Sequence, residues 1–316
     1  METGTRRRTA HAAALACLLT LSAGPALAAG FDRVDQPFDL LFMPGSYLEL
    51  SGNLHMPLRR QTNVVATHPI TGQPLGGGNG GTFTESFFTP GFAVKVELAP
   101  WAACQLGLTS PWGGFARYDR EWAGRYLLRG GSVETYDVGV TCRASLNSGG
   151  HRYSLLAGAR WEWLGSSEER ALATGLPPSP DGAVRSRGSS EAGGWSLGVA
   201  YEYRPWGIRA SAMYHSGVDH AIFGAQTISV PGGGFSRSVD WGFPMPASLD
   251  LHVQSGFAPG WLAFASARWV QWSVLDTVTV HQYGTGMPIG QQRLGYHDTW
   301  SFLLGVVRVL SPRARG

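Results

Sequence analysis

Residues 246–273 read PASLDLHVQSGFAPGWLAFASARWVQWS, two alternating segments around a Phe-Ala-Pro-Gly turn. Strand side chains point alternately to opposite faces. Leu249, Leu251 and Val253 therefore share one face, and Ser248, Asp250, His252 and Gln254 share the other. In the second segment Trp261, Ala263, Ala265, Ala267 and Trp269 lie together, with Ser266 and Arg268 opposite. One side is apolar and bounded by aromatic rings. A soluble antiparallel sheet alternates too, so the rest of the chain decides whether that side faces a core or a lipid.

The 316 residues are 15% charged and 43% hydrophobic, with 44 Gly, 12 Trp, 10 Tyr and 14 Phe, which is poor in charge and rich in Gly and Trp for a soluble domain. Residues 1–28 have the form of a secretory leader: Arg6 to Arg8, the apolar run Ala12 to Leu21, and a small-residue cleavage site at Ala26-Leu27-Ala28. Neither the Arg-Arg pair nor Cys17 has the flanks of a twin-arginine or lipoprotein signal. Removing Arg6, Arg7, Arg8 and Glu2 from the 25 basic and 22 acidic residues leaves a net charge of about +1. That balance offers nothing to a nucleic acid. No later apolar run approaches the roughly 20 residues of a membrane helix, so a bilayer crossing requires a closed sheet. Two cysteines remain, Cys104 and Cys142; we read them as small half-buried residues on separate strands in preference to a disulfide.

Ten strands follow from the alternation: 46–56, 86–98, 102–109, 135–146, 153–164, 194–203, 207–216, 246–257, 261–273 and 299–310. Their connections alternate strictly between tight turns and long stretches rich in Gly, Pro and Ser, the latter at 57–85, 110–134, 165–193, 217–245 and 274–298. Short turns at one end and long loops at the other are the build of an outer-membrane barrel, whereas several long structureless loops argue against a compact soluble domain. The expected fold class is all-β, an antiparallel transmembrane β-barrel. Aromatic residues at strand ends, such as Tyr153, Trp161 and Trp163, or Tyr201, Tyr203 and Trp195, suit the headgroup level.

The opposite faces carry Asp137, Arg143, Arg160, Glu162, Glu202, Arg209, His215, Asp250, His252 and Arg268, which would line the lumen. Pairs such as Arg160 with Glu162 and Arg209 with Glu202 read as a network that holds the interior rather than as a substrate site. The tracts 76–81 and 232–234 are glycine-rich but lack the strand-loop-helix setting of a phosphate cradle. The histidines have no metal-ligand spacing, no Gly-x-Ser-x-Gly elbow occurs, and no cofactor or catalytic site is expected.

Three blocks resemble the FadL and TodX family of outer-membrane transporters for long-chain fatty acids and aromatic hydrocarbons. They are Thr89 to Tyr118 (TPGFAVKVELAPWAACQLGLTSPWGGFARY), Pro246 to Ser273, and Tyr296 to Pro312 (YHDTWSFLLGVVRVLSP). The first is loosely specific, and the other two are more characteristic. The resemblance implies a barrel of about 14 strands. Its N-terminal segment would fold inward as a hatch, and cargo captured at outer loops would leave sideways through a gap made by a kink in the third strand. Mapped here, the hatch is residues 29–44, with Phe31, Phe38, Leu41 and Phe42, and the barrel is 45–316. The kink falls at Gly107 and Pro111, since both residue types weaken strand pairing. The capture surface falls at Leu172 to Pro180 and Ala221 to Phe235.

Two departures stand out. The hatch lacks the family's Asn-Pro-Ala motif. The chain stops at Arg313-Ala314-Arg315-Gly316, about four strands short of the family pattern and without its terminal aromatic. The expectation is a truncated product, the alternatives being closure with ten strands or pairing with another chain. The expected activity is passive uptake of hydrophobic molecules in contact with outer-membrane lipid. A general porin, a lipid-modifying barrel enzyme with His215 or His252 as base, and an adhesive surface protein are the competing readings.

Overall fold

The computed structural model describes residues 31–33, 38–76, 78–80, 83–175 and 180–308. The proposed leader lies outside the described residues. Among the described residues fifteen strands form one sheet: β1 (Tyr47–His55), β2 (Phe87–Ala99), β3 (Ala102–Thr109), β4 (Gly113–Arg117), β5 (Gly130–Ser148), β6 (His151–Leu172), β7 (Gly182–Tyr203), β8 (Ile208–His215), β9 (Val218–Val230), β10 (Gly233–Met245), β11 (Ser248–Ala258), β12 (Trp261–Val270), β13 (Thr277–Gln282), β14 (Met287–Arg293) and β15 (Thr299–Arg308). The main path runs β1-β2-β3-β5-β6-β7-β8-β11-β12-β15, every pair antiparallel. These ten are the ten strands expected from alternation. Among the described residues β1 and β15 each pair on one side.

The turn from β5 to β6 shows why the inner ends are tight. Gly149 and Gly150 both take positive φ, 57° and 87°. Such a turn has the twist that joins two strands across two residues.

The long connections are not structureless. β4, β9, β10, β13 and β14 rise from them, and β6 and β7 run 22 residues each. β9 alternates buried Val218, His220, Ile222 and Gln226 with exposed Asp219, Ala221 and Phe223. It pairs with the outer end of β7, while β8 pairs with the inner end. The sheet thereby continues above the ten-strand wall through β9, β10, β13 and β14.

Face assignments are decided by register. Tyr214, Leu249, Trp269 and Trp300 stand opposite one another across β8, β11, β12 and β15, an aromatic-rich row on the outward face. Met213, Asp250, Arg268 and Ser301 form the adjacent inward row. Elsewhere the contrast is sharp: Tyr136, Val140, Tyr153, Leu155, Trp161, Trp163, Trp195, Leu197 and Val199 are exposed, while Asp137, Arg143, Leu156 and Glu162 are buried. On β6, Tyr153 and Trp163 are ten residues apart, which at ~3.3 Å per residue and a tilt of ~40° gives a band ~25 Å tall, the hydrocarbon thickness crossed by such barrels. On β12 both faces are half-buried, because Leu262 and Phe264 share the inward face with Arg268.

The cysteines correct the expectation for them. Cys104 and Cys142 are direct cross-strand partners on β3 and β5, with Cα atoms 4.0 Å apart, and form a disulfide. Registration of the two strands brings together residues that nothing in their spacing connects.

Candidate functional site: lumen plug and aromatic cavity

Residues 38–44 occupy the inner half of the lumen. A short 3-10 turn, Asp39–Phe42, buries Leu40, Leu41 and Phe42. Leu41 and Phe42, with Phe38 beside them, pack on Ala103, Leu156, Ala200 and Met213, the inward residues of β3, β6, β7 and β8. The guanidinium groups of Arg209 and Arg143 lie 4.7 and 5.9 Å from the Phe42 ring. Arg209 donates to Asp39 at 2.8 Å, Lys95 donates to the Met43 carbonyl, and the Gly45 N–H donates to Glu97 at 2.6 Å. An apolar segment is thus pinned at its rim by charged hydrogen bonds.

Residues 31–33 lie further along the lumen. Phe31 sits 6.3, 6.1 and 5.8 Å from the rings of Phe243, Trp272 and Tyr296. Asp32 meets Arg268 at 3.3 Å, and Arg268 also reaches Asp250 at 3.0 Å. Phe31, Phe83, Phe115, Trp241, Phe243 and Tyr296, with Val278, Val280 and Leu294, surround a cavity of about 330 Å³. Arg59 and Glu168 stand in its lining. Burial holds the Glu168 carboxyl above its ordinary range, against the lowering effect of Arg170. Phe83 stacks on Tyr118 at 5.0 Å, and Tyr118 on Trp122 at 4.0 Å, so an aromatic ladder leads from the outer loops to the cavity.

The strand ladder is irregular beside this cavity. Gly107 lies in a regular ladder, between Ala93 and Gly139. The interruption comes at 110–112, around Pro111. Opposite β5, Thr109 pairs with Asp137 and Gly113 with Glu134, so one extra residue is accommodated. Thr135 pins the bend: its hydroxyl accepts from the Trp112 N–H at 3.0 Å, and its own N–H donates to the Trp112 carbonyl at 3.1 Å. Trp112 is 1% exposed and packs edge-on against Trp272 at 5.3 Å.

The lumen charges pair differently from the expectation. Arg160 meets Asp137 at 3.6 Å and donates to the Ser216 carbonyl at 2.8 Å, while Glu162 meets His220 at 3.0 Å with both side chains fully buried. Residues two apart on one strand are farther from each other than cross-strand neighbours. Arg209 and Glu202 are register partners, yet Arg209 turns to Asp39 and Glu202 pairs with Arg152 at 3.4 Å. His252 lies 3.3 Å from Gln254, and His215 lies 3.6 Å from Asp250. The expected capture segment Ala221 to Phe235 is the β9–β10 hairpin, and residues 176–179 of the other lie outside the described residues. Trp112, Trp241 and Phe243 carry no alternation signal in the sequence, because they belong to the long connections 110–134 and 217–245; Trp272 lies at the end of the strand expected over 261–273, and Tyr296 at the end of the connection 274–298.

The sequence matches, over residues 59–313, the family model described as outer membrane protein transport protein (OMPP1/FadL/TodX). No curated protein matches. Among solved structures, a FadL homologue of Pseudomonas aeruginosa is similar with a TM-score of 0.71 and 17% identity, over 86% of this chain and 70% of that one. The toluene transporter TodX of Pseudomonas putida is similar with a TM-score of 0.52 and 14% identity, over 84% and 70%. A TodX deltaS2S3 mutant, a monoaromatic hydrocarbon channel, gives 0.59 and 15%, over 86% and 73%. With the family model covering most of its length and a wall of antiparallel strands that alternate apolar and polar faces, the chain belongs to the OMPP1/FadL/TodX family of outer-membrane transport proteins.

Proposed function

We propose that this chain admits hydrophobic small molecules, long-chain fatty acids or aromatic hydrocarbons, across the outer membrane by binding and passive diffusion. The observation that carries this reading is the cavity of about 330 Å³ walled by Phe31, Phe83, Phe115, Trp241, Phe243 and Tyr296. Cavities half that size bind benzene, so this one has room for a substituted ring or part of an alkyl chain. Burying one ring of ~150–250 Å² contributes ~4–6 kcal/mol before the cost of immobilisation, enough to capture cargo and weak enough to release it. Cargo enters along the Phe83–Tyr118–Trp122 ladder and leaves by the irregular wall at Pro111 into the lipid. Residues 29–44 act as the hatch of the barrel formed by 45–316. The activities of TodX and its variant, toluene transport and a monoaromatic hydrocarbon channel, support the same reading.

Uptake of labelled toluene and oleate by cells carrying or lacking the gene tests it. Faster uptake of at least one in the carrying strain is expected. Equal uptake of both would reject the proposal.

A further inference from the structure

The outward face of the wall changes character above its aromatic ends. Tyr136, Trp163 and Glu191 are register partners on β5, β6 and β7. The same face continues outward as the row Ser132, Ser167 and Arg187, and then as Gly130, Glu169 and Arg185. Arg117 of β4 joins the last row through Gly130. Four to six residues beyond Trp163, at ~3.3 Å per residue and a tilt of ~40°, these rows stand ~10–15 Å above its ring. That is the layer of phosphates and sugars on an outer leaflet of glycolipid, and arginine side chains reach down from it to the headgroups.

Five arginines line a hollow there, Arg117, Arg120, Arg129, Arg185 and Arg187, against three glutamates. Arg120 and Arg187 are exposed, and among the described residues neither has a carboxylate within ion-pair reach. Arg185 meets Glu169 at 2.8 Å and Arg117 meets Glu85 at 3.1 Å, both on the surface. Exposed pairs of this kind contribute little, so a phosphate can share either guanidinium. The Glu169 carboxyl lies below its ordinary range, first through its hydrogen bond from Arg185 and then, against the effect of burial, through the charges of Arg185, Arg129 and Arg120. The field in the hollow is therefore positive. The hydroxyls of Ser132 and Ser167, 2.8 Å apart, form its floor in register with Arg187. Guanidinium forks beside a hydroxyl pair suit the tetrahedral oxygens of a phosphate. The sign reverses next to it, where Glu134, Glu191 and Asp219 line the neighbouring hollow, and this confines a phosphate to the arginine rows.

We propose that this patch is a docking site for the phosphorylated headgroup of an outer-leaflet glycolipid, gripped from the side of the barrel by Arg187 and Arg185. The ligand is a lipid of the surrounding membrane rather than cargo, so the site stands or falls independently of the channel reading.

Lipid A with its phosphates, and lipid A stripped of them by phosphatase, are titrated onto the purified barrel in detergent, and bound lipid is read by native mass spectrometry. The parent should bind the phosphorylated form roughly ten-fold more tightly. Arg185→Gln combined with Arg187→Gln should erase that difference, while Arg187→Lys should keep part of it, because an ammonium lacks the fork. Glu169→Gln frees Arg185 and should tighten binding, so the test survives if the double variant fails to fold. Folding of each is checked by the barrel's heat-resistant electrophoretic mobility. Equal affinity of the parent for the two lipids, or the parent's affinity in the folded variants, would overturn the site. Displacement of the lipid by inorganic phosphate at equal concentration would overturn it too, since a free anion would then serve as well as the headgroup.

Discussion

Replacing Leu41 by Ala should unseat the lumen plug while leaving the wall intact. Leu41 is 0% exposed and packs among Ala103, Leu156, Ala200 and Met213, so its contacts run almost wholly between the N-terminal segment and the wall. Leu to Ala at buried sites costs about 2–5 kcal/mol. Here that cost falls on docking of residues 38–44, because the barrel's own ladders do not include Leu41. Taking ~3 kcal/mol, the undocked population rises roughly 150-fold. Phe42→Ala would add to this, removing the ring that two guanidinium groups cover at 4.7 and 5.9 Å. The assay is single-channel current across a planar bilayer: the parent should show rare openings, and Leu41→Ala frequent or sustained ones. Leu155→Ala is the control, since Leu155 is 55% exposed on the outward face of β6 and should leave the current unchanged. A folded Leu41→Ala protein with the parent's current would refute the reasoning, as would a parent that conducts steadily.

Val140 lies exposed on the outward face, paired with Ala159 midway along the band, so Val140→Arg should cost about 2–4 kcal/mol of barrel stability in urea titrations, whereas Val140→Leu should be neutral. Replacing Cys104 and Cys142 by Ala opens a 38-residue loop and should remove about 4 kcal/mol, seen as a lower temperature for loss of the heat-resistant band; the reductant-treated parent should match the double variant. In the outer loop, Tyr126 donates to Asp181 at 2.6 Å, and burial followed by that bond raises its pKa above the ordinary value of 10.0. Its contribution is therefore complete below pH ~10 and disappears as pH rises through the higher folded value. The near-ultraviolet circular dichroism of Tyr126, which packs edge-on against His68 at 5.4 Å, should change in that window, and the step should vanish in Tyr126→Phe.

The ten wall strands were legible because each crosses a medium with oil on one side, which enforces a strict alternation over its whole span. Tyr153, Leu155, Ala157, Ala159, Trp161 and Trp163 on β6 show it without interruption. Above the bilayer that constraint lapses. β10 begins GGFSRSVD with its first residues exposed on both faces, so composition alone made it look like a loop. The lumen pairs were illegible for another reason: Arg160 with Asp137, Glu162 with His220, and Cys104 with Cys142 depend on strand register, which no single strand contains. The plug lay between these cases. The apolar run at Leu40, Leu41 and Phe42 set it apart from a polar tail, while its seat on Ala103, Leu156, Ala200 and Met213 needed four strands in register.

Diffraction from crystals soaked in bromobenzene puts the account to its most direct test. The bromine's anomalous signal should appear inside the barrel, among Phe31, Trp241, Phe243 and Tyr296. Signal confined to the outward aromatic rows, with that chamber holding none, would contradict the claim that the wall turns its greasy side to lipid and carries apolar cargo within.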